Sequence, residues 1–312
     1  MNFYRPALGL IVAGLMQGVL GQPIARVLIY TATRAFRHDS IPTAVNALLQ
    51  QSKTLNVVFD HTEDQNQFND ANLAKYDAIM FVSTTGEVLD DAGKAAFQKY
   101  LNLGGNFVGI HSCSDSLVNT TFYGQEVGAY FDYHPELQNA TVDVLVDHPS
   151  TQGLPKEWHI QEEMYNFKSD PRSIGAVVVL AANESSYVDN GTRKFNQGTP
   201  HPSAWYQEHG AGVENGNPAG RSFYTSLGHL NETWQDVLFI SHVTGGLNWA
   251  LQANTTLAFN AHAKVGNSPS SPPSTGPSPS LPLHSGDSSG AIETAPQIAL
   301  VAAASTLLNI IL

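Results

Sequence analysis

Between residues 24 and 262, the hydrophobic positions alternate between two periods. Continuous apolar runs of strand length occur at 26–31 (RVLIYT), 56–60 (NVVFD), 76–82 (YDAIMFV) and 106–110 (NFVGI). Residues 41–51 and 90–103 instead carry apolar side chains three and four positions apart, as amphipathic helices do. Strands that are apolar on both faces and separated by helices predict a parallel sheet covered on both sides. We therefore expect a single α/β domain over residues 24–262, with a doubly wound, mostly parallel sheet.

The second half of this domain is less regular. The pattern predicts strands at 141–146, 174–181 and 221–226, followed by a helix at 234–251. Residues 183–217 are rich in Gly, Asn and Pro, which favours a long surface insertion.

The N-terminus has the pattern of a secretory signal. Arg5 precedes an apolar run, residues 7–20, that is short for a membrane span and ends in small residues. We interpret residues 1–21 as a signal peptide; the alternatives are a buried first helix or a signal anchor.

The C-terminus has the pattern of a lipid-anchor signal. Residues 263–288 form a Ser/Pro-rich stalk, and residues 289–312 contain a polar spacer and an uncharged apolar tail. This order is typical of glycosylphosphatidylinositol attachment, here at Ser288 within the small residues 285–290. The alternative is an ordinary C-terminal membrane helix. We expect a secreted cell-surface protein held at the membrane or cell wall only through this anchor.

Six Asn-X-Ser/Thr sequons agree with secretion, and a glycosylated asparagine must lie on the surface. They are Asn119, Asn139, Asn183, Asn190, Asn231 and Asn254.

Charge and cysteine content exclude several classes of protein. The 15 Lys+Arg against 27 Asp+Glu give a formal net charge of -12, which argues against nucleic-acid partners. The single cysteine, Cys113, excludes an intramolecular disulfide and a Cys-only zinc site. Partners are expected to be neutral, a small carbohydrate or a glycan; the oligomeric state is left open.

Candidate chemistry lies after the strands, because ligands of open parallel sheets bind at the carboxyl ends of the strands. His38 follows the first strand, His111 directly follows the fourth, and His229 follows residues 221–226. A tight strand-to-helix turn presents its first side chain at the top of the sheet, so His111 is the first candidate for acid/base chemistry. The alternative is that His111 only hydrogen-bonds its own turn.

Further candidates stand beside aromatic residues. His134 and His201 precede prolines, which fix their backbones in extended geometry, and they neighbour Tyr133 and Trp205. In Glu162-Glu163-Met-Tyr165, a carboxylate could act as an acid or base or orient an imidazole; a solvated charge pair is equally compatible. We assign catalysis to His111, Glu163 and Asp115. Substrate binding is assigned to His38, Tyr165, His134, His201, Trp205 and His229.

No cofactor is predicted, although a divalent metal remains open. His111, His201 and His229, with Glu163 or Asp115, would supply the ligands of a catalytic zinc site. No HxH or HxxxH spacing supports this set, so only the fold could bring it together.

These stretches together resemble the ThuA-like (trehalose utilisation) family. The matching segments are RVLIYTATRAFRHDSI, YDAIMFVSTTGEVLD, GGNFVGIHSCSDS, YGQEVGAYFDYHPE, DHPSTQGLP, EEMYNF, HPSAWYQE and GRSFYTSLGHLNETW. They run in the family's order through residues 26–251. The resemblance implies a flavodoxin-like, class I glutamine amidotransferase-like fold and an association with the metabolism of disaccharides or keto sugars.

Two positions depart from the related patterns. His111 stands where an amidotransferase has its nucleophilic cysteine, and Cys113 lies two residues later. We therefore expect no amidotransferase activity and interpret Cys113 as a small buried residue. Thr199 also precedes Pro200-His201-Pro202, a place where the family tends to have an acid, so any role of that acid in orienting His201 is lost or taken up elsewhere.

Three functions compete. The first is a cell-surface enzyme that acts on carbohydrate with His111 and Glu163. The second is a non-catalytic protein that binds glycan or decorates the cell wall. The third is a metal-dependent hydrolase.

Overall fold

The computed structural model describes residues 24–253. The predicted signal peptide, the stalk, the anchor signal with Ser288 and the sequon at Asn254 lie outside these residues.

A mixed sheet forms the centre of the domain. Its first strands are β1 (Ala25–Tyr30), β2 (Val57–Thr62), β3 (Ala78–Val82) and β4 (Asn106–Ile110). The others are β6 (Gln138–Val144), β7 (Glu157–Glu162), β9 (Val177–Ala182), β10 (Pro202–Gln207) and β11 (Ser222–Thr225). Their order is β2-β1-β3-β4-β11-β10-β9-β6-β7. A separate two-stranded ribbon pairs β5 (Phe131–Tyr133) with β8 (Asn166–Phe167).

The sheet has a parallel half and an antiparallel half. β2, β1, β3, β4 and β11 pair in parallel, and β3 and β4 are buried at every position. Beyond β11, the strands β10, β9, β6 and β7 alternate in direction, so β7 runs the same way as β11. Seven of the nine strands therefore run in one direction, and the predicted α/β class and mostly parallel sheet are confirmed.

One predicted loop contains a central strand. Residues 183–217 were expected to form a surface insertion, but they include β10, which lies between β11 and β9. The apolar pattern did not predict this strand, because its polar side chains form hydrogen bonds in the interior. Ser203 contacts the Ser226 hydroxyl at 3.1 Å, and Gln207 donates to the Glu126 carbonyl at 2.7 Å. Polar composition therefore did not mean exposure here.

Helices cover both faces of the sheet. They are α1 (Ile41–Gln50), α2 (Ser52–Leu55), α3 (Asp70–Leu73), α4 (Asp91–Asn102), α5 (Thr121–Val127) and α6 (Val237–Leu251). α1 and α6 pack on one apolar core, and α4 and α5 pack on a second core rich in aromatic rings. Gly246 lets α6 approach the sheet, because a Cβ there would collide with the Phe223 ring. Within residues 24–253, no helix has the length and apolar character needed to cross a membrane.

Helix α6 contains a buried histidine outside the strand ends. His242 is fully buried among Trp158, Phe223 and Phe239. Its Nδ1 lies 2.8 Å from the Ser150 carbonyl oxygen, so Nδ1 carries the proton and Nε2 is left without a hydrogen-bond partner. Burial lowers the pKa of His242 to about 4.

Acid is therefore expected to destabilise the domain through His242. The unfolded chain takes up this proton near pH 6.5 and the folded chain only near pH 4. The contribution of neutral His242 to the unfolding free energy is therefore fully present above pH 6.5 and is lost as the pH falls from 6.5 to 4. His242→Asn keeps a donor near the position of Nδ1 and cannot be protonated. Between about pH 7.5 and about pH 5, the wild type should lose about 2 kcal/mol more unfolding free energy than this variant in urea titrations. Equal losses would contradict the assignment.

Candidate functional site

Four side chains meet at the carboxyl edge of the sheet. His38 follows β1, His111 follows β4, Glu163 follows β7 and His229 follows β11. One nitrogen or carboxylate oxygen from each lies within 4.8 Å of the others. We call His38, His111, His229 and Glu163 the histidine–glutamate cluster. Its members are distant in sequence, and they meet because four strands that run in one direction end at the same edge of the sheet.

His111 is the most deeply buried member of this cluster. Its backbone adopts a left-handed conformation (φ 56°), which turns the chain sharply out of β4. Its Nδ1 lies 2.7 Å from the Ser226 carbonyl oxygen, which can only accept, so Nδ1 carries the proton and the Nε2 lone pair faces the cluster. Nε2 lies 3.1 Å from both His38 Nε2 and the Tyr165 hydroxyl. The side chain is 0% exposed, so His111 is closed off from solvent.

Glu163 connects the histidines. Its Oε2 lies 3.1 Å from His229 Nδ1 and 3.8 Å from His111 Nε2. Its Oε1 lies 3.5 Å from Nε2 of His134, a residue at the surface. Glu163 and His229 retain 12% and 18% exposure of their side chains, so this side of the cluster is the one that a ligand can reach.

The environment separates the pKa values of the cluster. Burial lowers the pKa of His38 to about 4 and depresses the pKa of His111 strongly. Burial acts to raise the pKa of Glu163, but the neighbouring imidazoles, His229 foremost, hold it below its usual value. Burial acts to lower the pKa of His229, but Glu163 raises it overall. His38 and His111 are therefore neutral at pH 7.

Glu162 faces away from the cluster and supports it. Its fully buried carboxylate accepts hydrogen bonds from the backbone N–H of Gly228 (2.8 Å), the N–H of His229 (3.1 Å) and the Thr233 hydroxyl (3.1 Å). These bonds fix the turn that carries His229, where Gly228 has a φ of 129°. This role was not predictable from the sequence, since either glutamate could have faced the cluster.

His201 lies outside the cluster, which corrects its assignment as a metal candidate. Its Nε2 is 2.8 Å from the Tyr165 carbonyl oxygen, so it positions the residue whose hydroxyl meets His111. Its Nδ1 lies 3.0 Å from Glu184 Oε1. Nδ1 also lies 3.2 Å from the Tyr187 hydroxyl, which can donate to it.

Two further predicted site residues lie outside the cluster. Trp205 is 1% exposed and packs on Tyr224 in the aromatic core, so it cannot offer a face to a sugar. Asp115 ends the short 3-10 turn after β4, and its carboxylate does not join the cluster. Aromatic and acidic residue types near a strand end therefore did not distinguish core from site.

Cys113 is buried beneath the same turn, as expected. Its side chain has no exposure, and burial raises the pKa of its thiol far above the usual value. The Sγ atom packs so close to Gly109 that a Cβ there would collide with it. A thiol held in this way is a poor nucleophile.

Comparison with known proteins agrees with this architecture. The family model described as ThuA, trehalose utilisation, matches residues 26–250. A ThuA-like protein of Bacteroides uniformis is similar in structure, with a TM-score of 0.59 and 20% identity over 75% of this chain and 96% of its own. A ThuA-like protein of Parabacteroides merdae gives a TM-score of 0.53 and 18% identity over 72% and 89%. No curated protein matches the sequence. At these identities the two solved structures support the fold alone.

The buried position of Cys113 leads to a chemical prediction. Iodoacetamide should leave the native protein unmodified and should alkylate the single thiol once urea unfolds the chain, because only the exposed thiolate reacts. Mass spectrometry of both samples measures the difference. Rapid alkylation of the native protein would contradict the buried, protonated thiol.

Proposed function

The chain belongs to the ThuA family, described by trehalose utilisation, and on that premise we propose that it is a cell-surface enzyme that acts on a carbohydrate at the histidine–glutamate cluster. The observation that carries the proposal is the position of Glu163. Its carboxylate lies within 4 Å of three imidazoles and is partly exposed. A carboxylate and imidazoles within this reach can transfer protons to and from a sugar hydroxyl or carbonyl.

The burial of each side chain in the cluster determines whether it can contact a substrate. His111 is a positioning residue, since its closed side chain can act on a substrate only through Glu163 and His38. Glu163, His229 and His134 are the groups that can meet the substrate. This division revises the expectation that His111 itself would be the acid or base.

An aromatic ring beside the cluster supports a sugar as the substrate. Phe36 is 64% exposed, and its ring packs edge-on against His38 at 4.7 Å between centroids. The Thr85 hydroxyl donates to the Phe36 carbonyl at 2.6 Å, and the Arg34 N–H donates to the Thr85 carbonyl at 2.7 Å. These bonds hold the backbone that carries the ring, and an exposed aromatic ring beside polar groups suits a pyranose, which has an apolar face and hydroxyl edges.

The sequons support the cell-surface part of the proposal. Asn119, Asn139 and Asn190 are exposed, and Asn183 and Asn231 are half-buried. No sequon within residues 24–253 is therefore buried, in agreement with what attachment of a glycan requires.

Replacement of the carboxylate tests the enzyme directly. Glu163→Gln keeps the shape and removes the base, so kcat/KM on trehalose, related disaccharides or their keto derivatives should fall by a factor of about 100 or more. Glu136→Gln makes the same change at an exposed glutamate and should leave turnover unchanged. Thermal unfolding of both variants verifies folding.

Two outcomes would contradict this assignment. Wild-type turnover by Glu163→Gln would remove the cluster from the chemistry. Sugar binding by the wild type without any turnover would favour the second candidate function, a non-catalytic glycan-binding surface protein. That candidate is favoured by one observation, the complete burial of His111.

The exposed ring gives a separate prediction. Phe36→Ala should raise KM by about tenfold with kcat nearly unchanged, because stacking stabilises bound substrate and transition state alike. Phe195→Ala, at another exposed phenylalanine, serves as the matched control in steady-state kinetics. An unchanged KM in Phe36→Ala would exclude the ring from substrate binding.

A further inference from the structure

We propose that the histidine–glutamate cluster binds one divalent metal ion, with Zn²⁺ as the first candidate, through three imidazoles and one carboxylate. The proposal uses the same side chains as the proposed function, but it does not require that the substrate be a carbohydrate. It replaces the ligand set considered from the sequence, because His38 joins the cluster and His201 does not.

The spacing of the donor atoms suits an ion. Two ligands of a tetrahedral Zn²⁺ lie about 3.3 Å apart, given Zn–N and Zn–O lengths of about 2.0–2.2 Å. The separations are 3.1 Å between the Nε2 atoms of His38 and His111, and 3.1 Å between His229 Nδ1 and Glu163 Oε2. Glu163 Oε2 lies 3.8 Å from His111 Nε2. All four donor atoms lie within 4.8 Å of one another, so small side-chain movements would bring them into coordinating range.

One donor atom of the cluster is not satisfied by a hydrogen bond. His229 Nδ1 is shielded from solvent and, although close to Glu163, has no aligned hydrogen-bond partner. The His111 Nε2 lone pair points into the cluster, where His38 Nε2 and the Tyr165 hydroxyl both approach it at 3.1 Å. Inward-facing nitrogen lone pairs beside a carboxylate form the donor set that divalent transition metals prefer.

The outer contacts are those that a metal-binding histidine needs. A ligating imidazole usually donates its other N–H to an oxygen, which fixes the tautomer and the ring. His111 does so through Nδ1 to the Ser226 carbonyl oxygen at 2.7 Å, and His38 Nδ1 lies 3.4 Å from the Ser112 hydroxyl. Glu162 fixes the backbone of His229. Three of the four ligands are therefore held before any ion arrives.

A bound ion would change how the cluster works. The ion would supply a Lewis acid for a substrate oxygen on the side where Glu163 and His229 are partly exposed. His134, with Nε2 at 3.5 Å from Glu163 Oε1, would remain as the residue free to carry a proton.

Metal binding can be measured without any substrate. The full secreted chain is stripped with a chelator, titrated with Zn²⁺ by calorimetry, and loaded with Co²⁺ to record the visible bands of the coordinated ion. We expect about one Zn²⁺ per chain and Co²⁺ bands, with the affinity reduced about 100-fold in His38→Gln and in His229→Gln. His159→Gln, at an exposed histidine, should bind like the wild type.

The outcomes separate this proposal from the proposed function. Equal Zn²⁺ affinity in the wild type, His38→Gln and His229→Gln, or no binding by a folded wild type, would overturn the metal site. The Glu163→Gln kinetics could still support the enzyme. Zn²⁺ binding that depends on both histidines would support the metal site even if no sugar were turned over. Circular dichroism verifies that each variant is folded. Because two histidine variants are tested, the experiment remains decisive if one of them does not fold.

Discussion

The hydrogen bond from His111 Nδ1 to the Ser226 carbonyl oxygen is the contact on which the rest of the site depends. It joins the ends of β4 and β11 and directs the Nε2 lone pair inward. The left-handed backbone at His111 costs about 1–2 kcal/mol. The bond to Ser226 and the bond from the Tyr224 hydroxyl to the His111 carbonyl (2.8 Å) are each worth about 1 kcal/mol, so together they offset the strain.

Two adjacent glutamates at the end of β7 have different roles in the site. Successive residues of an extended chain point to opposite sides, so Glu162 and Glu163 cannot both face the cluster. Glu162 turns inward, where two backbone N–H groups and a hydroxyl compensate the cost of burying its carboxylate. Glu163 meets the imidazoles and keeps contact with solvent. The position of His229 therefore depends on Glu162, and the chemical environment of its imidazole depends on Glu163.

Much of the parallel half could be predicted from apolar runs, because strands buried on both faces carry little else. His111 was also predictable as the residue that follows β4. The polar strand β10 was not, because Ser203 and Gln207 find partners only in the folded interior. Trp205 was misplaced for a related reason: an indole packs equally well on a sugar or on Tyr224, and composition does not distinguish them.

Residues distant in sequence hold Tyr165 against the cluster through His201. The His201 Nε2–H donates to the Tyr165 carbonyl at 2.8 Å, and its Nδ1 accepts from the Tyr187 hydroxyl at 3.2 Å. The Glu184 carboxylate, seventeen positions before His201 in sequence, lies 3.0 Å from the same Nδ1. The Tyr165 hydroxyl therefore stays against His111 Nε2, and whatever lies between this lone pair and Glu163, a proton or an ion, meets the same surroundings. A proton there would leave Glu163 free to act as the base, whereas an ion would make Glu163 a ligand and pass proton transfer to His134.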